Sequence, residues 1–169
     1  METTRHFTAT VYVVNDGAVA LHEHDRLGIR VPPGGHVDRD ELPHEAGLRE
    51  VHEETGLDAD LVGEPPAVPA PDGRALPDPR YQMLYDIDTD EAGEPYHQHV
   101  DHVYFARADS REIDPAGDDE EDADAWDWYT PAELRGSDVD ADTTAIGIEA
   151  IEAVGDAGAA DPVDGAKRE

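Results

Sequence analysis

Three glutamates near the middle of the chain are spaced so that a helix would place their carboxylates side by side. At about 100° per residue, Glu50, Glu53 and Glu54 fall within one arc of roughly 100° on the helix surface. Carboxylates this close repel one another, so either their pKa values rise or a cation neutralises them. Ligand sets made only of oxygens suit a hard cation such as Mg²⁺ or Mn²⁺. The spacing therefore favours a divalent-metal site on this helix.

The alternative is a solvated surface, because the whole chain is rich in acidic residues. Residues of other types also stand at fixed intervals from the three glutamates, namely Gly35, Glu41, Arg49 and Gly56. An acidic background favours neither glycine nor arginine. Arg49 lies beside the acidic arc, and we expect it to pair with Glu41 and so to hold the preceding loop against the helix. We interpret residues 35–57 as a loop, a helix and a loop that form a metal site.

This stretch resembles the Nudix box, Gly-x5-Glu-x7-Arg-Glu-U-x-Glu-Glu-x-Gly-U, in which U is an aliphatic residue. Every fixed position is filled, by Gly35, Glu41, Arg49, Glu50, Val51, Glu53, Glu54, Gly56 and Leu57. The flanking segments, less specific than the box, extend the resemblance over about residues 5–154. It implies a MutT-like α/β protein, an α/β/α sandwich with a mixed β-sheet. We expect residues 1–154 to form this domain and residues 155–169 to form a flexible acidic tail.

The resemblance also implies a reaction and a set of roles. Members of this family use metal-activated water to cleave a phosphoanhydride bond of a nucleoside diphosphate linked to a group X. The implied cofactor is Mg²⁺ or Mn²⁺, and the implied metal ligands are Gly35 through its carbonyl, Glu50, Glu53 and Glu54. Glu41 and Arg49 would order the catalytic loop, and the general base would be Glu53 or Glu54. The catalytic set is therefore Glu41, Arg49, Glu53 and Glu54.

Two other functions remain open at this stage. One is a Nudix-fold module that binds a nucleotide or regulates another protein without catalysis, although such modules usually lose box glutamates and this chain keeps them all. The other is an enzyme of the same fold that acts on a non-nucleotide pyrophosphate.

A further metal ligand is expected from an acidic run. Many Nudix enzymes take such a ligand from a loop before the last strand, and residues 118–122 here read DDEED. Among Asp119, Glu120, Glu121 and Asp122 we choose Glu121, and we expect most of the run to be solvated surface.

Two residues outside the box are predicted to bind substrate. Arg30 is one of few basic residues and precedes the Pro-Pro-Gly-Gly turn, although many relatives have an aromatic residue near this position. His99 shares a strand face with His97 and Asp101 and would contact phosphate. The alternatives are a surface ion pair for Arg30 and surface histidines for the cluster. A zinc site is the least favoured interpretation, because no other zinc-type ligand pattern is present.

The composition limits the partners of the protein. Of 169 residues, 42 are acidic and 12 are basic, which gives a net charge of −30. The only lysine is Lys167, and this acid-rich, lysine-poor balance resembles cytoplasmic proteins of extreme halophiles. No basic patch suits nucleic acid or an anionic membrane. Cysteine is absent, which excludes disulfides and thiolate sites. We expect a small nucleotide-type substrate and a cytoplasmic location, and a homodimer is left open.

The elements that must position the site follow from turn signals and periodicity. No stretch has the roughly 20 apolar residues of a membrane span, and we expect no signal peptide. Pro43 suits the first turn of the central helix, and Gly56 suits the position just past its end. The predicted strands are residues 7–14, 18–22, 29–31, 81–87, 99–106 and 125–129, and the predicted helices are residues 42–55 and 143–154.

Overall fold

The computed structural model describes residues 2–25, 27–118 and 120–159. Its strands are β1 (Thr4–Asn15), β2 (Ala18–Glu23), β3 (Arg30–Val31), β4 (Gly34–His36), β5 (Ala59–Leu61), β6 (Tyr81–Thr89), β7 (Pro95–Ala108) and β8 (Trp126–Tyr129). Its α-helices are α1 (Pro43–Thr55), α2 (Pro131–Gly136) and α3 (Ala141–Ala159). No described helix is long and apolar enough to cross a membrane.

The strands form one mixed sheet centred on β1 and β7. These two strands run parallel from the pair Thr4 and His97 to the pair Val14 and Arg107. The other edge of β1 pairs antiparallel with β4 and then with β2, while the other edge of β7 pairs antiparallel with β6 and β5. Strand β2 continues the sheet to β3 and β8. The predicted mixed sheet is confirmed.

Helices cover both faces of this sheet. Because side chains alternate along a strand, Val11 of β1 packs beneath α1 with Val51, whereas Tyr12 packs on the other face with Ile146 of α3. The two buried clusters stay separate on the two faces. The predicted α/β/α sandwich is therefore confirmed.

The central helix begins and ends where the sequence predicts. It starts at Pro43 and stops at Gly56, which takes the left-handed conformation with φ of 72°. The last helix differs, because it continues through Gly155 to Ala159 rather than ending at residue 154. Glycine lowers helix propensity by about 1 kcal/mol without forbidding a helix, and Gly155 lies among alanines. The rest of the predicted tail lies outside the described residues.

Glycines let α1 and the preceding loop approach the sheet closely. A Cβ atom at Gly47 would lie 2.8 Å from Cγ2 of Val11, so α1 packs on β1 at nearly backbone distance. A Cβ atom at Gly34 would lie 2.5 Å from the carbonyl oxygen of Ala9, because β4 pairs with β1 there. The loop before α1 is thereby held beside the acidic face of the helix.

Candidate active site

The acidic face of α1 lies against the glycine turn of β4. The backbone N–H of Gly34 donates a hydrogen bond of 2.9 Å to Oε1 of Glu54, a residue that is only 8% exposed. A Cβ atom at Gly35 would lie 2.3 Å from Oε1 of Glu50, so only glycine leaves room for that carboxylate. The structure thus brings together Gly35, Glu50 and Glu54, three of the predicted metal ligands.

Arg49 joins the box carboxylates to one another and to the loop. Its guanidinium donates two hydrogen bonds to Glu41, at 2.6 and 3.1 Å, so the expected pairing of these residues is present. It also donates to Glu50 and Glu53, each at 2.9 Å, and to the carbonyl of His36 at 3.2 Å. The hydrogen bond from Arg49 lowers the pKa of Glu41. Arg49 therefore fixes the loop and holds two box glutamates in place.

The site carries more negative charge than the neighbouring residues neutralise. Burial raises the pKa of Glu54 to about 8, and the carboxylates of Glu50, Glu120 and Glu53 add to the rise. Burial also raises the pKa of Glu50. Buried carboxylate oxygens beside a glycine turn are a donor set that a hard divalent cation would neutralise. The residues present therefore fit Mg²⁺ or Mn²⁺.

The acidic run contributes a side chain to this region. A Cβ atom at Gly117 would lie 2.7 Å from Oε1 of Glu120 and 3.1 Å from the Cβ atom of Glu53, so Glu120 lies beside the box. Its charge also acts on Glu54. These contacts place Glu120 at the box, whereas no contact found within the described part of the chain connects the predicted ligand Glu121 to it. The role of Glu121 stays a prediction, and Asp119 lies outside the described residues.

His22 is a neighbour of the box that the sequence analysis missed. Its Nε2 atom lies 3.6 Å from Oε2 of Glu54, and its ring stacks on Trp126 at a centroid distance of 4.5 Å. Burial lowers the pKa of His22 to about 4, so the imidazole is neutral near pH 7. Only the pairing of β2 with β8 brings these rings together, and no sequence motif marks it.

The two predicted substrate-binding residues do not lie with the box glutamates. Arg30 pairs with Glu23 in the sheet, and its Nη1 atom contacts the carbonyl of Asp138 at 3.5 Å, towards the connection between α2 and α3. His99 lies in a group of histidines, with its ring centroid 4.9 Å from that of His36. Burial and the neighbouring His36 and His97 lower the pKa of His99 to about 4. Their substrate contacts stay predictions.

A separate cavity of about 490 Å³ lies between β5, the segment before β6 and α3. Its walls include Arg80, whose guanidinium pairs with Glu149, and the side chains of Leu61 and Phe105. None of the box carboxylates lines it. This cavity is therefore separate from the acidic face of α1.

An α/β/α sandwich that presents a complete glutamate set beneath a glycine turn is the arrangement of a Nudix-type domain. Comparison with known proteins agrees, since residues 4–147 match the family model described as the NUDIX domain. The chain belongs to the Nudix family.

Individual proteins that are similar to this chain also point to the Nudix family. An RNA pyrophosphohydrolase from Erythrobacter litoralis (strain HTCC2594) is 32% identical over 110 residues, which is 64% of this chain. The match spans 63% of that relative's length, which is less than two thirds. The crystal structure of a NUDIX-family hydrolase from Clostridium perfringens is 29% identical, with a TM-score of 0.74, and covers 89% of this chain and 99% of its own. The MutT protein from Bacillus halodurans, 20% identical with a TM-score of 0.56, covers 86% of this chain and 82% of its own and supports the fold alone.

Proposed function

We propose that this protein is a hydrolase that cleaves a phosphoanhydride bond of a nucleoside diphosphate linked to a group X, with Mg²⁺ or Mn²⁺ as cofactor. The observation that carries the proposal is the buried carboxylate of Glu54, fixed by the N–H of Gly34 beside Glu50 and Glu53. The relatives support it, because one is named an RNA pyrophosphohydrolase and another a hydrolase of the NUDIX family.

The side chains of the box differ in exposure, and the roles that we propose for them, metal ligand or proton acceptor, follow that difference. When bound, the cation lowers the pKa of a water molecule and neutralises charge on the phosphates in transit. Glu50 and Glu54 are largely buried and are suited to hold it, together with Glu53 and the Gly35 carbonyl. Glu53 is the most exposed of the three glutamates, with a side chain 39% exposed, and this exposure to solvent favours it over Glu54 as the proposed acceptor of a proton from water. Arg49 keeps this carboxylate oriented.

The charge of the chain bears on substrate size. One relative is named for RNA, but a net charge of −30 repels a long polyanion and offers few basic residues to bind it. A small nucleotide presents only a few phosphates, whose charge a bound cation would neutralise. We therefore propose a small nucleotide derivative as the substrate. The same acid-rich, lysine-poor composition supports a cytoplasmic protein of a high-salt cell, and a homodimer stays a prediction.

The proposal is tested by replacing the two candidate bases. We expect Glu53→Gln and Glu54→Gln each to lower kcat at least about 100-fold in molar KCl with MgCl₂. The assay is a panel of nucleoside triphosphates, ADP-ribose and dinucleoside polyphosphates, followed by released phosphate or product chromatography. Glu91→Gln, in an exposed loop, is the matched control and should keep full activity.

Two results would contradict the proposal. Unchanged turnover in both box variants would show that the active site is not on α1. No hydrolysis of any compound by the unaltered protein, together with tight nucleotide binding, would favour the binding module instead.

A further inference from the structure

Three neighbouring strands bring three histidines to one place on the sheet. His6 of β1 pairs with His99 of β7 in the parallel register, and Thr8 of β1 pairs with His36 of β4. His6 and Thr8 are two residues apart and share a face, so all three imidazoles leave the sheet on the same side. One ring nitrogen from each histidine lies within 4.8 Å of those of the other two.

This histidine cluster, His6, His36 and His99, lies on the opposite side of the sheet from the glutamate box. His6 shares its face with Tyr12, which packs towards α3, whereas Val11 packs towards α1. The backbone nevertheless connects the two regions, since His36 follows Gly35. The cluster is therefore a second group of ligands with its own access to solvent.

The hydrogen bonds around His6 leave one of its nitrogens available. In the neutral tautomer of His97 that donates from Nδ1 to the carboxylate of Asp88 at 2.9 Å, Nε2 of His97 is an acceptor. That atom lies 3.2 Å from Nδ1 of His6, which therefore acts as the donor. Nε2 of His6 then carries a lone pair. A metal-bound histidine usually donates its other ring N–H to an acceptor, and Nε2 of His97, with Asp88 on its far side, would be that acceptor for His6.

His99 supplies a second observation. Its Nε2 atom is buried and has no hydrogen-bond partner among the described residues. Burying a polar atom without a partner is unfavourable. A ligand bound to this nitrogen would give it a partner. Because the ring of His99 lies beside those of His36 and His97, the ligand would lie at the histidine cluster.

We propose that His6, His36 and His99 form a second divalent-metal site, selective for a transition-metal cation such as Zn²⁺. Zn–N bonds of about 2.0–2.1 Å in a tetrahedral site place the nitrogens about 3.4 Å apart, so small side-chain rotations close the cluster. Imidazole ligands suit zinc, copper and nickel, whereas carboxylate oxygens suit magnesium. The histidine cluster and the glutamate box therefore select different ions. The exposure of His6 and His36 leaves a fourth position open to water.

An anion is the competing occupant, and the surroundings disfavour it. The carboxylate of Asp88 is hydrogen-bonded to His97, which is next to His6 of the cluster, and the whole chain carries a net charge of −30. Both features repel phosphate and attract a cation.

The test is metal binding by the purified chain in molar KCl after treatment with a chelator. Zn²⁺ affinity is measured by competition with a chromophoric chelator, and Co²⁺ is added as a spectroscopic probe of tetrahedral geometry. We expect one Zn²⁺ per chain and a Co²⁺ absorption band in the visible range. His6→Gln and His99→Gln should each weaken binding more than 100-fold, and His97→Gln, which alters only the residue behind His6, should weaken it about 10–100-fold.

Two controls separate this site from the rest of the protein. His52→Gln changes an exposed histidine on α1, and the double variant E53Q/E54Q alters the glutamate box. Both should bind Zn²⁺ as tightly as the unaltered chain. Because His6 is exposed, its variant keeps the native circular dichroism and decides the question even if His99→Gln unfolds. Unchanged affinity in His6→Gln, or loss of affinity only in E53Q/E54Q, would overturn the proposal.

Discussion

Replacing Arg49 by alanine is the sharpest test of how the box is held together. The substitution removes a guanidinium that hydrogen-bonds to Glu41, Glu50 and Glu53 and to the carbonyl of His36. Without Arg49, three carboxylates lose their nearest cationic partner and repel one another. The loop between β4 and α1 also loses its tie to the helix. We therefore expect the metal-free protein to lose stability.

The size of the loss follows from the exposure of each pair. The two-point contact with Glu41, whose side chain is 18% exposed, should contribute about 2 kcal/mol. The contacts with Glu50 and Glu53 should add about 0.5 kcal/mol each, because the side chains of Arg49 and Glu53 are 30% and 39% exposed and water screens them. The free energy of unfolding should therefore fall by about 3 kcal/mol without metal. With saturating Mg²⁺ the cation neutralises Glu50 and Glu53, and the loss should shrink to about 2 kcal/mol.

The measurement is urea unfolding in molar KCl, with and without MgCl₂. Arg135→Ala is the matched control, because among the described residues its guanidinium hydrogen-bonds to the backbone carbonyl of Pro131 within α2, and it should change stability by less than about 0.5 kcal/mol. Arg49→Lys should recover part of the loss, since lysine keeps the charge and loses the two-point geometry. A loss below about 1 kcal/mol in Arg49→Ala, or one that Mg²⁺ does not reduce, would refute the reasoning.

Three further predictions concern the fold. Gly47→Ala should destabilise the protein by about 1–2 kcal/mol, although alanine has the better helix propensity, because the new methyl group meets the rigid, buried Val11. Thermal unfolding measures this change, and a gain in stability would contradict the close packing of α1. Gly155→Ala is its control, since nothing lies near that position, and should stabilise α3 by about 0.5–1 kcal/mol. Gly56→Ala should cost more than about 1 kcal/mol in the same assay, because φ is 72° and a Cβ atom would lie 2.1 Å from the carbonyl oxygen of Asp114. Far-ultraviolet circular dichroism should show loss of helix in salt-free buffer and recovery in molar KCl, where the Debye length falls to about 3 Å; full helicity without salt would contradict the halophilic interpretation.

The limits of α1 and the contact between Arg49 and Glu41 were predictable because they depend on residues close together in the sequence. A proline in the first turn and a glycine just past the end act locally. The helical period alone places Glu50, Glu53 and Glu54 on one face. The end of α3 was not predictable in this way, because a single glycine weakens a helix without determining where it stops.

Residues distant in the sequence could not be assigned in the same way. The acidic run offered several equivalent carboxylates, and only the approach of Gly117 to Glu53 and Glu120 shows that Glu120 lies beside the box. Arg30 was predicted to bind substrate, yet the register of β3 directs it to the face opposite α1. A shift of one residue in register exchanges the two faces, and sequence patterns seldom determine register.

The sequence by itself determined the family and the three glutamates that share one helix face, because these features lie within one continuous stretch whose geometry is largely that of a single helix. Only the tertiary structure decided which glutamate is buried, which neutral imidazole lies beside it and that His6, His36 and His99 meet. Those properties arise from strand pairing between segments up to about ninety residues apart, and long-range pairing depends on the packing of the whole chain.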